Sequence, residues 1–114
     1  MNCLFLRRCY PELTVDVTVT GTGNTSYCYA TIGGTTVIAA GTYTVKAGDV
    51  ITFGVSGTSS RYYGSVEIDG ITVLTVTSSK KTYDWTVPDG ISSINIALAY
   101  NGARKYGTIT VTTA

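Results

Sequence analysis

Residues 13–20 alternate without a break, with Leu13, Val15, Val17 and Val19 on one side of the chain and Thr14, Asp16, Thr18 and Thr20 on the other. A period of two belongs to a strand with one buried and one wet face; a helix would repeat about every 3.6 residues instead. The pattern recurs down the chain. Ile51, Phe53 and Val55 share a side within 50–55, Ile94, Ile96 and Leu98 within 93–100, and Ile109 and Val111 within 107–113. Between such runs lie turn signals: Gly33-Gly34, residues 46–49, Asp69-Gly70, residues 88–90 and Asn101-Gly102. Asp69-Gly70, flanked by the short runs 65–68 and 71–77, reads as a hairpin on a type I′ turn, because both central residues of that turn need positive φ. Short strands reversed every several residues predict an all-β, immunoglobulin-like antiparallel β-sandwich of about seven to nine strands. No segment carries helical periodicity.

The 114 residues suit one domain of ordinary size. The expected layout is an N-terminal arm over 1–11 and the sandwich over 12–114. Only 13% of the residues are charged, so the wet strand faces must be built mainly from Thr and Ser. The net charge of +1 gives no global basic field of the kind that neutralises phosphates, so no nucleic acid is expected among the partners. No apolar run reaches the roughly 20 residues of a membrane span. At the start, Leu4-Phe5-Leu6 precedes Arg7-Arg8, the reverse of the basic-then-apolar order of an export signal. Cys3, Cys9 and Cys28 make an odd count, two of them within the arm, which is not a disulfide framework.

Four phrases carry a family resemblance. The runs 43–53 (YTVKAGDVITF) and 64–70 with its Asp-Gly turn, then 83–88 (YDWTVP) and 107–112 (GTITVT), resemble small immunoglobulin-like proteins encoded among the structural genes of bacteriophages and prophages of gut bacteria. The opening 4–8 is similar to such proteins as well. The resemblance implies a virion or tail accessory role with adhesion to surfaces. It places the protein on a virion or an extracellular surface, with other virion proteins or copies of itself as partners. It offers no catalytic motif. The alternative is a carbohydrate-binding module of a bacterial surface or secreted protein, with a cell-surface glycan as partner.

The residues themselves argue against an enzyme. There is no histidine, so the usual triads and most acid–base machinery are missing. Asp16, Glu67 and Asp84 fall on strands at outward positions, as solvated acids do. Cys28 has no activating neighbour and reads as a buried thiol, and Trp85, the sole tryptophan, reads as a core aromatic. No cofactor and no metal site is expected, since the turn aspartates sit on separate turns rather than in one dense loop of oxygens. Asn24-Thr25-Ser26 matches a glycosylation sequon and is read as a loop coincidence.

Charge against topology is the most informative pattern. If each reversal after residue 50 sends the chain back across the sandwich, loops 56–63, 78–81 and 101–106 emerge at one end. These carry Arg61, Tyr62, Tyr63, Lys80, Lys81, Arg104, Lys105 and Tyr106, the candidate ligand-binding residues. The opposite end then holds Asp49, Asp69 and Asp89. Structural needs alone account for much of this, because acids favour tight turns and lysines keep strand edges soluble. The functional reading is that a basic, tyrosine-rich tip takes an anionic or glycan surface, where Arg forks onto carboxylates and Tyr offers a ring with a hydroxyl.

Overall fold

In the computed structural model, which describes residues 12–22 and 27–114, alternation becomes ten strands in two packed sheets. They are β1 (Leu13–Thr22), β2 (Cys28–Ile32), β3 (Thr35–Val37), β4 (Gly41–Val45), β5 (Val50–Ser56), β6 (Gly64–Ile68), β7 (Ile71–Val76), β8 (Lys80–Thr86), β9 (Ser93–Asn101) and β10 (Tyr106–Thr113). The larger sheet has the order β4-β1-β9-β10-β6-β7 and the smaller β3-β2-β5-β8. The arm expected over 1–11, with Cys3 and Cys9, and the sequon at 24–26 lie outside the described residues.

The all-β sandwich is as the alternation requires, but two ladders depart from an antiparallel plan. β1 runs parallel to β9, from Thr14 beside Ser93 to Thr22 beside Asn101, and β10 runs parallel to β6. The cause is connectivity: β9 and β10 form a hairpin inserted at the centre of the six-stranded sheet, flanked by strands reached through crossovers. A parallel neighbour cannot be inferred from turn residues, which report only the local reversal.

One core lies between the sheets. Val15, Ile94, Ile96, Leu98, Ile109, Val111 and Val66 from the larger sheet meet Ile51, Phe53, Val55, Cys28 and Ala30 from the smaller, all essentially without exposed surface. Trp85 is half-buried on the same side as Phe53, their ring centroids 6.2 Å apart, so it serves the core edge. Asp69 (φ 50) and Gly70 (φ 85) adopt the paired positive φ angles of the type I′ turn, as their sequence requires.

Candidate functional site

The registers fix which loops share an end. Ser56 at the end of β5 lies opposite Lys80 at the start of β8, and Asn101 at the end of β9 lies opposite Tyr106 at the start of β10. At the other end, Val50 lies opposite Thr86, Leu13 opposite Val45, and Ile68 opposite Ile71. The basic loops therefore gather at one pole and the turns with Asp49, Asp69 and Asp89 at the other.

Within the basic pole, four of the eight candidate residues form one cluster. Tyr62 is its pillar. Its ring stacks on Tyr106 at 5.7 Å between centroids, with 30° between planes, and the Arg104 guanidinium carbon sits 4.4 Å from its centre. Arg104 also donates a hydrogen bond to the Tyr62 hydroxyl, and Arg61 lies 5.5 Å from the same ring. Loop 57–63 is shaped for this by a tight internal bonding scheme: Tyr62 N–H donates to the Ser59 carbonyl (3.0 Å) and Thr58 N–H to the Tyr62 carbonyl (2.9 Å). Thr58 Oγ1 then donates to the Arg104 carbonyl at 3.0 Å, tying the loop to the β9–β10 turn. In that turn Arg104 N–H donates to Asn101 Oδ1 (3.1 Å), and Lys105 takes a left-handed conformation (φ 59) that delivers Tyr106 to its strand.

Electrostatically the cluster is open. Among the described residues the Arg61 and Arg104 guanidinium groups engage tyrosine, and no carboxylate bridges to either. Each exposed cation over a ring contributes about 0.5–1 kcal/mol. That is enough to orient the guanidinium while leaving most of its five donors for a ligand.

The remaining four candidates do not join this cluster. Lys80 and Lys81 were expected in a loop, but they open β8, and adjacent strand residues face opposite sides. Lys80 reaches across the outer face of the smaller sheet to the Tyr29 ring, 5.3 Å away, whereas Lys81 is paired with inward-facing Val55. Tyr63 is 45% exposed, and Lys105 occupies the turn itself. Tyr29 was not singled out from sequence. Its ring lies over Gly54, its register partner, where any Cβ would stand 2.3 Å from the ring. An outward aromatic one strand away from a mid-strand glycine was the available signal.

Among the described residues, Cys28, Asp16, Asp84, Asp49 and Asp69 are each held by other partners. Burial pushes the Cys28 thiol up to about 11, and it donates to the Ala99 carbonyl at 3.6 Å. Asp16 and Glu67 stand on the outer face of the larger sheet, three strands apart, and Asp84 on that of the smaller. Asp16 accepts from Thr42 Oγ1 at 3.1 Å and Asp84 from Thr52 Oγ1 at 2.8 Å, each acid serving its cross-strand threonine. The turn acids are similarly occupied. Asp49 accepts from Lys46 N–H at 2.9 Å, and Asp69 accepts from the N–H (2.8 Å) and hydroxyl (2.7 Å) of Thr113. Comparison with protein families, curated proteins and solved structures finds no match to this chain.

Proposed function

We propose that this chain is a non-enzymatic accessory protein of a bacteriophage virion or tail, with a sandwich that presents a basic, tyrosine-rich tip for adhesion to an anionic or glycan surface. The phage setting rests on the sequence resemblance. The adhesive tip rests on one observation: two guanidinium groups from separate loops, brought onto one tyrosine pillar with no carboxylate among the described residues to neutralise them. Loops at one end of a sandwich are free to vary while the core holds them in place, which suits them to binding. The second reading, a carbohydrate-binding module of a bacterial surface or secreted protein, is favoured by the pairing of Tyr106 with a hydroxyl-rich sheet face.

Retention of the isolated chain on immobilised sialylated mucin and on its desialylated form tests the tip. Retention on the charged form at low salt, lost in Arg61→Ala with Arg104→Ala at unchanged melting temperature, is expected. Equal retention of the double variant overturns the tip assignment. Co-purification of the chain with phage particles separates the two settings, since a free-standing module stays in the supernatant.

A further inference from the structure

The outer face of the larger sheet is not uniform, and its central strand marks a path. Along β9 the outward residues are Asn95, Ala97, Ala99 and Asn101, large polar groups at the ends and methyl groups in the middle. The neighbouring strands are in register with this column. On the β1 side Thr18 stands beside Ala97 and Thr20 beside Ala99; on the β10 side Thr110 and Thr108 stand beside the same two alanines. Two threonine walls thus flank an alanine floor. With strands about 4.8 Å apart the walls are about 10 Å from each other, and the seven-residue run from Asn95 to Asn101 is about 20 Å long.

The ends of this trough differ in charge. At one end Asn101 pairs with Tyr106, the ring stacked on Tyr62 beside the Arg104 guanidinium. The opposite end is closed by Asp16, the partner of Asn95, whose carboxylate repels a second anion.

We infer that the trough over Ala97 and Ala99 continues the basic tip into one extended site for a linear oligosaccharide whose terminal sugar carries a carboxylate. The inference rests on the tip reading proposed above and extends it. Threonine walls offer hydroxyl donors and acceptors to sugar hydroxyls, with methyls for the ring carbons. A floor without side chains beyond Cβ lets a chain lie flat, and the trough length accommodates roughly four pyranose units. The guanidinium fork of Arg104 takes the carboxylate, and Tyr106 offers its ring to the adjoining sugar. A polyanion with a charge on every unit is disfavoured by Asp16, so the fitting ligand is acidic at one end and neutral along its length.

Calorimetric titration with N-acetylneuraminic acid, sialyllactose, sialyl-lacto-N-tetraose and uncharged lacto-N-tetraose tests this. The sialylated pentasaccharide is expected to bind at least tenfold more tightly than either the free acid or the uncharged tetrasaccharide. The double variant Ala97→Thr with Ala99→Thr raises the floor to the height of the walls with a residue that strands favour. It is expected to keep its melting temperature and to lose the gain with length, so that pentasaccharide and free acid differ by less than threefold. Arg104→Gln is expected to weaken every acidic member and to leave the uncharged one unchanged. Equal affinity for free acid and pentasaccharide in the parent chain overturns the trough while leaving the tip reading intact. Undiminished pentasaccharide binding by the double threonine variant does the same. No binding by any member of the series, or equal binding of an acidic peptide, overturns the inference too; the mucin experiment then decides the tip on its own.

Discussion

Phe53 has no exposed surface and packs against Trp85, while Thr18 projects from the opposite face of the larger sheet into water. Truncating a buried phenylalanine costs its transfer free energy and leaves a cavity. Phe53→Ala is therefore expected to lower stability by about 3–5 kcal/mol, and Thr18→Ala by less than about 0.5 kcal/mol. Equilibrium urea unfolding reads both, and equal effects would mean that the inward and outward faces are exchanged. Cys28 gives a chemical test of the same core. Its thiol is raised from 9.0 to about 11 by burial, so the folded state holds the proton that the unfolded state releases. The associated stability is complete below pH 9 and is lost as pH rises toward 11. Cys28→Ser, which ionises in neither state over this range, is expected to flatten that alkaline decline in thermal melts. A thiol reagent at pH 8 should label Cys28 only as fast as the domain opens, and labelling at the rate of a free thiol would contradict the burial.

At the scale of elements, the β6–β7 hairpin shows how a local signal becomes a tertiary one. Asp69 is placed by its turn so that its carboxylate accepts two hydrogen bonds from Thr113 near the end of β10, fastening the hairpin to the sheet beyond its own ladder. Those bonds, the hydroxyl's first and the backbone's second, hold the Asp69 carboxyl below its ordinary 3.8. A depressed folded value means a contribution that is present above the unfolded pKa and is lost as pH falls through the folded one. The gap in unfolding midpoint between the parent and Asp69→Asn is expected to be open at neutral pH and to close below about pH 4. A gap independent of pH would remove the charge from the argument. The sequence disclosed this turn because Asp-Gly dictates its backbone locally, but the bulge that follows was not legible. Register slips between Val66 and Glu67, leaving Val73 without a cross-strand partner, and the alternation of β7 degrades to two exposed, two half-buried, one exposed and one buried residue. Bulges follow from twist and edge position, which no run of residues encodes by itself. Lys80 and Lys81 were misplaced for a related reason. Edge strands tolerate lysine, so a lysine pair marks an edge strand as readily as a loop. The tip was legible in part: loop ends followed from counting reversals, which brought Arg61, Tyr62, Arg104 and Tyr106 together. The Tyr62 pillar is set by its hydrogen bonds with Thr58 and Ser59, which residue types alone do not disclose.

For the whole molecule, the separation of Arg61, Lys80 and Arg104 from Asp49, Asp69 and Asp89 makes the sandwich electrically bipolar, and opposite poles attract between copies. A head-to-tail contact of this kind is heterologous, closing into a ring or running on as a filament according to its rotation. Magnitudes decide how far it goes. Exposed ion pairs contribute about 0–1 kcal/mol each, so two pairs, at Asp49 and Asp69, supply at most about 2 kcal/mol, against an association cost of about 4–15 kcal/mol. Charge alone therefore yields transient contact, and the tip remains available to an outside ligand. Screening sharpens the expectation, because the Debye length falls from about 10 Å at 0.1 M to about 3 Å at 1 M ionic strength. Sedimentation of the chain at low salt is expected to show a weak rise in apparent mass with concentration, absent in 1 M salt. The rise should also be absent in Lys80→Glu with Arg104→Glu at any salt. Oligomers that persist in high salt and survive the double change would instead place the contact on an apolar surface, where Ile71 at the start of edge strand β7 is the most exposed large hydrophobic residue among those described. In that case Ile71→Lys, rather than any change at the poles, should dissolve them.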